Sequence, residues 1–91
     1  MTRIMKEATA TQGPDYPFYP LEEAVLFGMN VEYLRELQGL SKTKLCAMAG
    51  ISRPTLYKIE RGESNLQLST MVRIAKALGV RFVDLFSVPY E

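Results

Sequence analysis

The chain has 91 residues, 47% of them hydrophobic, and a formal net charge of +1. That is enough for one compact domain and too little for two, and the apolar content excludes wholesale disorder. Cys46 is the single cysteine and there is no histidine, which excludes an internal disulfide, a metal site built from those ligands and any Ser-His or Cys-His nucleophile.

Residues 1–20 read as an N-terminal tail. The first ten residues lack the apolar stretch of a secretory signal, and no run in the chain approaches the roughly 18 apolar residues of a membrane span. The cytoplasm is therefore the expected compartment, with no membrane partner. Tyr16-Pro17-Phe18-Tyr19-Pro20 has a proline density that excludes a helix. Its three aromatics would form a sticky patch if left bare, so Tyr16, Phe18 or Tyr19 is expected to pack on the domain or on a partner.

The spacing predicts helix 1 from near Leu21, with Ala24, Val25, Gly28, Val31, Leu34 and Leu37 on one face and Gly39 as its terminator. Ser41 is a good N-cap for helix 2, and Leu40 and Leu45 form a hydrophobic staple across it. Leu45, Met48 and Ala49 are expected to face inward, and Gly50 ends the helix. Helix 3 repeats the device over about Ser52 to Arg61, with an Ile51–Leu56 staple. Pro54 falls in its first turn, where a missing N–H does little harm, and Gly62 ends it. Neither cap has Glu or Gln three residues on, so neither is a full capping box. Helix 4 spans about Leu68 to Leu78, with Leu68, Met71, Val72, Ala75 and Leu78 inward and Gly79 as terminator. A short helix 5 runs around Phe82 to Phe86, followed by an extended segment through Val88 and Tyr90. The predicted fold class is all-α: a compact five-helix domain over residues 21–91 behind an extended tail over residues 1–20.

Charge is unevenly spread. Residues 1–23 sum to −2, residues 24–40 to −1, residues 41–61 to +4 and residues 62–91 to zero. The basic stretch holds Lys42, Lys44, Arg53, Lys58 and Arg61 against Glu60 alone. A basic patch on one face is the electrostatic footprint of a nucleic-acid reader. No pair of carboxylates is placed as acid and base, so no enzymatic activity, cofactor or metal is expected.

Two short helices joined by Ala49-Gly50-Ile51-Ser52 describe a helix-turn-helix. Small Cys46 lets them approach, Gly50 makes the turn, and Leu45, Ile51, Leu56 and Ile59 fill the space between. The stretch from Gly28 to Phe86 resembles the phage-repressor and Cro-like (XRE-type) helix-turn-helix family. The resemblance is carried by Gly28, Val31, Leu34, Arg35 and Gly39-Leu40-Ser41, by Leu45 and Gly50-Ile51-Ser52, and by Leu56 and Ile59-Glu60-Arg61-Gly62. It continues through Leu68, Met71, Ile74-Ala75, Ala77-Leu78-Gly79-Val80 and Leu85-Phe86. Departures from the family pattern are Lys42 where Gln is usual, Cys46 for Ala, Leu66 and Gln67 for a Pro and a hydroxyl residue, and Arg81 and Val83 for polar residues.

The resemblance implies sequence-specific binding of double-stranded DNA, with helix 3 in the major groove, by a dimeric transcriptional regulator or repressor on a palindromic operator. Arg53, Pro54, Tyr57 and Lys58 are the candidate base contacts, Arg53 first because it lies near the helix N-terminus. Lys42, Thr43, Lys44, Thr55 and Arg61 are the candidate phosphate contacts. Lys42 is more naturally a phosphate ligand than a base reader. The resemblance also implies a structural ion pair between Arg35 and Glu60. An acid beside DNA would repel phosphate unless it were turned inward. Phe82, Val83, Phe86, Val88 and Tyr90 are the candidate homodimer interface, with Pro89 limiting any strand pairing there. The tail is a candidate segment for a toxin or other protein partner, or an arm whose Arg3 and Lys6 touch DNA. The other roles open to such a chain are the antitoxin of a toxin–antitoxin pair, the controller of a restriction–modification system, or an interaction module without DNA binding. Cys46 reads as a buried small apolar residue rather than a redox sensor.

Overall fold

The computed structural model describes residues 22–63 and 65–88. Four α-helices and one 3-10 helix follow one another: α1 (Glu22–Leu37), α2 (Lys42–Ala49), α3 (Arg53–Glu60), α4 (Leu68–Leu78) and the 3-10 helix (Phe82–Phe86). The tail, with Tyr16, Phe18 and Tyr19, the predicted start at Leu21 and the extended end at Tyr90 lie outside the described residues.

The short fifth helix expected around Phe82 to Phe86 is a 3-10 helix. Arg81 caps it, and Asp84 reaches back to the Arg81 N–H at 3.3 Å. Its bonds step by three residues, from the Asp84 N–H to the Arg81 carbonyl (3.0 Å) and from Ser87 to Asp84 (3.4 Å). The tighter 3-10 turn eclipses side chains three apart. Phe82 and Leu85 thus share the side that meets the core, with Leu85 fully buried.

All four α-helices contribute to one core: Phe27 and Val31, then Leu45, Cys46 and Ala49, then Leu56 and Ile59, then Ile74, Ala75 and Leu78, closed by Leu85. Three predicted inward residues are corrected: Leu37 is 67% exposed, Met48 47% and Leu68 61%. Leu37 lies six residues past Val31, roughly 240° further round at 3.6 residues per turn. The core face of α2 is centred on Leu45, Cys46 and Ala49, leaving Met48 to one side. Leu68 opens α4, and helical side chains lean toward the N-terminus, so it overhangs the end of the helix. Phe27 and Ile74, absent from the predicted inner faces, are buried instead.

Gly28 brings α1 against α3. A Cβ there would overlap the Ile59 carbonyl oxygen, so the two backbones touch directly and only glycine fits. Further along the same seam, Arg35 Nη1 donates to the Leu40 carbonyl at 3.0 Å. Three more side chains bond to backbone across the domain. Asn30 Nδ2 donates to the Leu85 carbonyl (2.9 Å) and the Ser87 carbonyl (2.8 Å). Gln38 Nε2 donates to Leu78 O at 2.8 Å, and Arg73 Nε to Ala49 O at 3.0 Å. The last two supply donors to carbonyls at helix C-termini, which lack helical partners. Among the described residues no helix is long and apolar enough to cross a membrane.

Candidate nucleic-acid interface

The pairing of α2 with α3 is fixed locally, by caps and a turn. Ser41 Oγ accepts from the Lys44 N–H at 3.0 Å, and Ser52 Oγ from the Thr55 N–H at 3.2 Å. Each serine satisfies one of the orphan donors of a helix start. Between the two helices Gly50 adopts φ 71°, and the N–H groups of Gly50 and Ile51 both bond to the Cys46 carbonyl, at 2.8 and 3.1 Å. This left-handed turn reverses the chain in two residues. Leu40 and Ile51, one before each cap, are partly buried against the core that contains Leu45 and Leu56.

Cys46 is 6% exposed and its Sγ lies 3.6 Å from the Ser52 carbonyl. Burial pushes its thiol above the ordinary value, opposed in part by Arg53 and assisted by Glu60. A thiol held neutral and covered is unreactive.

The outer face carries the charge. Arg53, Pro54, Tyr57 and Lys58 are exposed on α3, and Thr43 and Lys44 on α2. Arg53 Nη1 donates to Thr43 Oγ1 at 2.7 Å, and its Nη2 to the Tyr57 hydroxyl at 3.2 Å. The guanidinium also lies 5.6 Å from the Tyr57 ring centroid, and Lys42 Nζ lies at 5.6 Å from the same ring. Residues ten apart in sequence thus form one surface across two helices. Arg53 is held between Thr43 and Tyr57 with donors to spare, since a guanidinium carries five. The first turns of α2 and α3 contain no acid, so nothing opposes the positive ends of their dipoles.

Thr55 is half-buried, with Oγ1 2.8 Å from Ser52 Oγ. Arg61 is exposed at the C-cap of α3 and pairs with Glu63 at 2.7 Å. Of the basic residues singled out in the sequence it is the one farthest along α3 from the Arg53 cluster.

Behind this face Glu60 turns inward. Arg35 Nε donates to Glu60 Oε2 at 2.9 Å, with side-chain exposures of 8% and 7%. The Glu60 hydrogen bond, chiefly, holds the Arg35 guanidinium above its ordinary value. Lys42 Nζ lies 3.6 Å from Glu60 Oε1. Lys42 therefore stands between the inner pair and the outer face, an arrangement that its sequence position did not reveal. Asn30, Gln38 and Arg73 were likewise missed. Their signal is a long polar side chain in an otherwise apolar packing surface.

The residues considered for self-association fall in different settings. Val83 is 55% exposed. Phe82 and Phe86 pack on the core and on each other, with ring centroids 5.2 Å apart, and Phe86 lies 5.3 Å from Phe27. Val88 is half-buried.

Comparison with known proteins gives one consistent family. A family model described as Helix-turn-helix matches residues 31–85. The chain is 38% identical over 60 residues to the HTH-type transcriptional regulator y4dJ of Sinorhizobium fredii, covering 66% of this chain and 78% of that one. It is 29% identical over 86 residues to an HTH-type transcriptional regulatory protein of Pyrococcus furiosus, covering 87% of this chain but spanning only 27% of that protein. Among solved structures, the restriction–modification controller protein C.AhdI from Aeromonas hydrophila superimposes with a TM-score of 0.67 at 32% identity. That match covers 72% of this chain and all (100%) of the controller.

Proposed function

The chain belongs to the helix-turn-helix family, and from that premise we propose that this DNA-binding transcriptional regulator works as a homodimer on a palindromic operator. The observation that carries the reading is the cluster of Thr43, Arg53 and Tyr57 on the outer face of α2 and α3. It presents a preoriented guanidinium at the N-terminal end of α3, the part of a recognition helix that meets base edges. Arg53 reads a guanine through its free donors. Pro54, Tyr57 and Lys58 complete the base-facing surface. Lys42, Thr43, Lys44, Thr55 and Arg61 lie toward phosphates and set register without reading sequence. Glu60, sequestered by Arg35, adds little repulsion.

One domain of this size covers few base pairs. Two copies on half-sites about 34 Å apart, one turn of DNA, supply the missing specificity. Val83, exposed beside Phe82, Phe86 and Val88, supports a twofold contact through the C-terminal segment. Occupying an operator at a promoter makes the protein a repressor, most simply of its own gene.

The test is an operator selected from random duplexes, then titrated with wild type and Arg53→Ala. Loss of affinity concentrated at one base pair in each half-site is expected. Wild-type binding by Arg53→Ala removes Arg53 from the reading. Sedimentation equilibrium at micromolar concentration tests the dimer. A monomer unchanged by Val83→Asp removes the C-terminal interface.

A second reading has specific support. The match to C.AhdI spans the whole of that controller protein, so control of a restriction–modification gene pair is the biological role to examine first. Adjacent endonuclease and methyltransferase genes would favour it over autoregulation alone.

A further inference from the structure

An apolar groove lies between the first turns of α1, the start of α4 and the 3-10 helix, and none of its lining residues belongs to the Arg53 surface. Its walls are Ala24 and Phe27 of α1, Leu66, Met71 of α4 and Phe86, and it is a half-open groove with a volume of about 190 Å³. An apolar cavity of about 150 Å³ stays dry and accepts a benzene molecule, so this groove accepts one aromatic ring. The polar residues lining it are Glu23 and Asn65, both exposed.

We propose that the groove is filled by the chain's own residues 16–20, with the Phe18 ring seated among Phe27, Met71 and Phe86. Three observations support this occupant. The first is continuity: the groove opens at Glu23 and Ala24, in the first turn of α1, and Phe18 precedes Glu23 by five residues. At about 3.3 Å per extended residue the segment reaches about 16 Å, enough to fold back along the groove.

The second observation is backbone chemistry. Laying a chain on an apolar surface strands its N–H groups unless they find partners. Pro17 and Pro20 have none to strand, and a proline favours an extended backbone at the residue before it. The third is side-chain chemistry. Of the three aromatics in the segment, Phe18 alone has no hydroxyl, so it alone enters an apolar pocket without burying a polar group. Tyr16 and Tyr19 then keep their hydroxyls at the solvent edge. The occupant bridges α1, α4 and the 3-10 helix and sets the direction in which the tail leaves the domain. The inference does not rest on the DNA-binding reading, because the groove and the Arg53 surface share no residue; with the proposed dimer contact the groove shares only Phe86.

Methyl NMR of the full chain tests it. With methionine methyls labelled and Met71 assigned through Met71→Leu, nuclear Overhauser contacts are expected between the Met71 methyl and the Phe18 ring. Phe18→Ala should abolish them and lower Tm by about 4 °C or more, as a loss of about 1 kcal/mol does in a domain of this size. Tyr16→Ala should lower it less. Random-coil Phe18 ring shifts, with a Tm unchanged by Phe18→Ala, overturn the proposal. So do contacts seen only between differently labelled chains in a mixed sample, since the occupant is then a second copy. Contacts from Tyr16 or Tyr19 in place of Phe18 overturn the ring assignment.

Discussion

The inner and outer faces of α3 use the same residue types to opposite ends. On the inner face Glu60 is buried against Arg35, whose Nη1 donates to the Leu40 carbonyl, and Gly28 lets the α1 backbone rest on Ile59. On the outer face Arg53, Thr43 and Tyr57 also bond to one another, yet all three are exposed. Hydrogen bonds and ion pairs in water are nearly neutral for folding, whereas a buried pair broken on one side leaves an uncompensated charge. The inner face therefore governs stability and the outer face governs what the folded domain can hold.

Substitutions that separate the two properties sharpen that contrast, and any that mix them break it. The largest expected effect is that of Glu60→Gln, which leaves Arg35 charged and buried without its carboxylate. A loss of about 3 kcal/mol is expected in denaturant unfolding. Unchanged stability with tighter DNA binding would mean that Glu60 faces the DNA.

Gly28→Ala comes next. Its methyl group meets a backbone carbonyl, which cannot swing aside as a side chain can, so α1 and α3 must part. Overpacking of this kind costs about 1–3 kcal/mol. Because the shift moves α3 itself, operator affinity should fall even where the domain remains folded, and a calorimetric scan paired with a DNA titration reads both.

Arg53→Ala should do the reverse. Stability is expected to stay within about 0.5 kcal/mol of wild type, while discrimination at one base pair falls by about 1–3 kcal/mol. A melting temperature that drops along with affinity would show that the outer cluster also holds the fold. Lys44→Ala is smaller still. It should weaken all duplexes alike and make the slope of log K against log salt shallower by about 0.9, the value for one phosphate. Dependence of that loss on sequence would make Lys44 a base reader.

Cys46 gives the smallest effect. Burial raises its thiol, so the folded state disfavours the thiolate. The associated stability is present below the unfolded thiol value, about 8.5, and is lost as pH rises through the folded one. Cys46→Ala should flatten the alkaline decline of Tm. An unchanged decline would assign it to other groups.

Much of this arrangement was legible in the sequence where the cause is local. Ser41 and Ser52 announce their helices because a cap acts on N–H groups three residues away. Gly50 announces its turn because few other residues adopt φ 71°. The phase at helix ends was less legible. Leu37, Met48 and Leu68 are apolar at plausible spacing, but whether the core extends that far depends on what packs opposite. Tertiary partners were least legible. Gly28 reads as a small inward residue, while its contact with Ile59 depends on how α1 crosses α3. The basic stretch shows its cations, but not that Lys42 is shared between Glu60 and Tyr57, nor that Arg61 is drawn to Glu63.

The two hydrogen bonds of Asn30 bear on how the protein is made. Their acceptors lie 55 and 57 residues further along, and Leu85, which closes the core, lies at the same end. A ribosome delivers α1 well before these partners. The caps and turns of the four helices can form as each emerges, since their bonds span few residues. The clamp of Asn30 on the C-terminal turn cannot, because loop closure across more than half the chain precedes any reward from those contacts. A nascent chain halted near residue 80 should keep the α1–α3 seam at Gly28 and Glu60, while the Phe27 and Asn30 side of α1 gains its protection only with the Phe82–Phe86 turn. The last step in building the core is thus the seating of Leu85 and the Asn30 clamp, and a message truncated before the Phe82–Phe86 turn should yield a domain of lower stability whose core is open on that side.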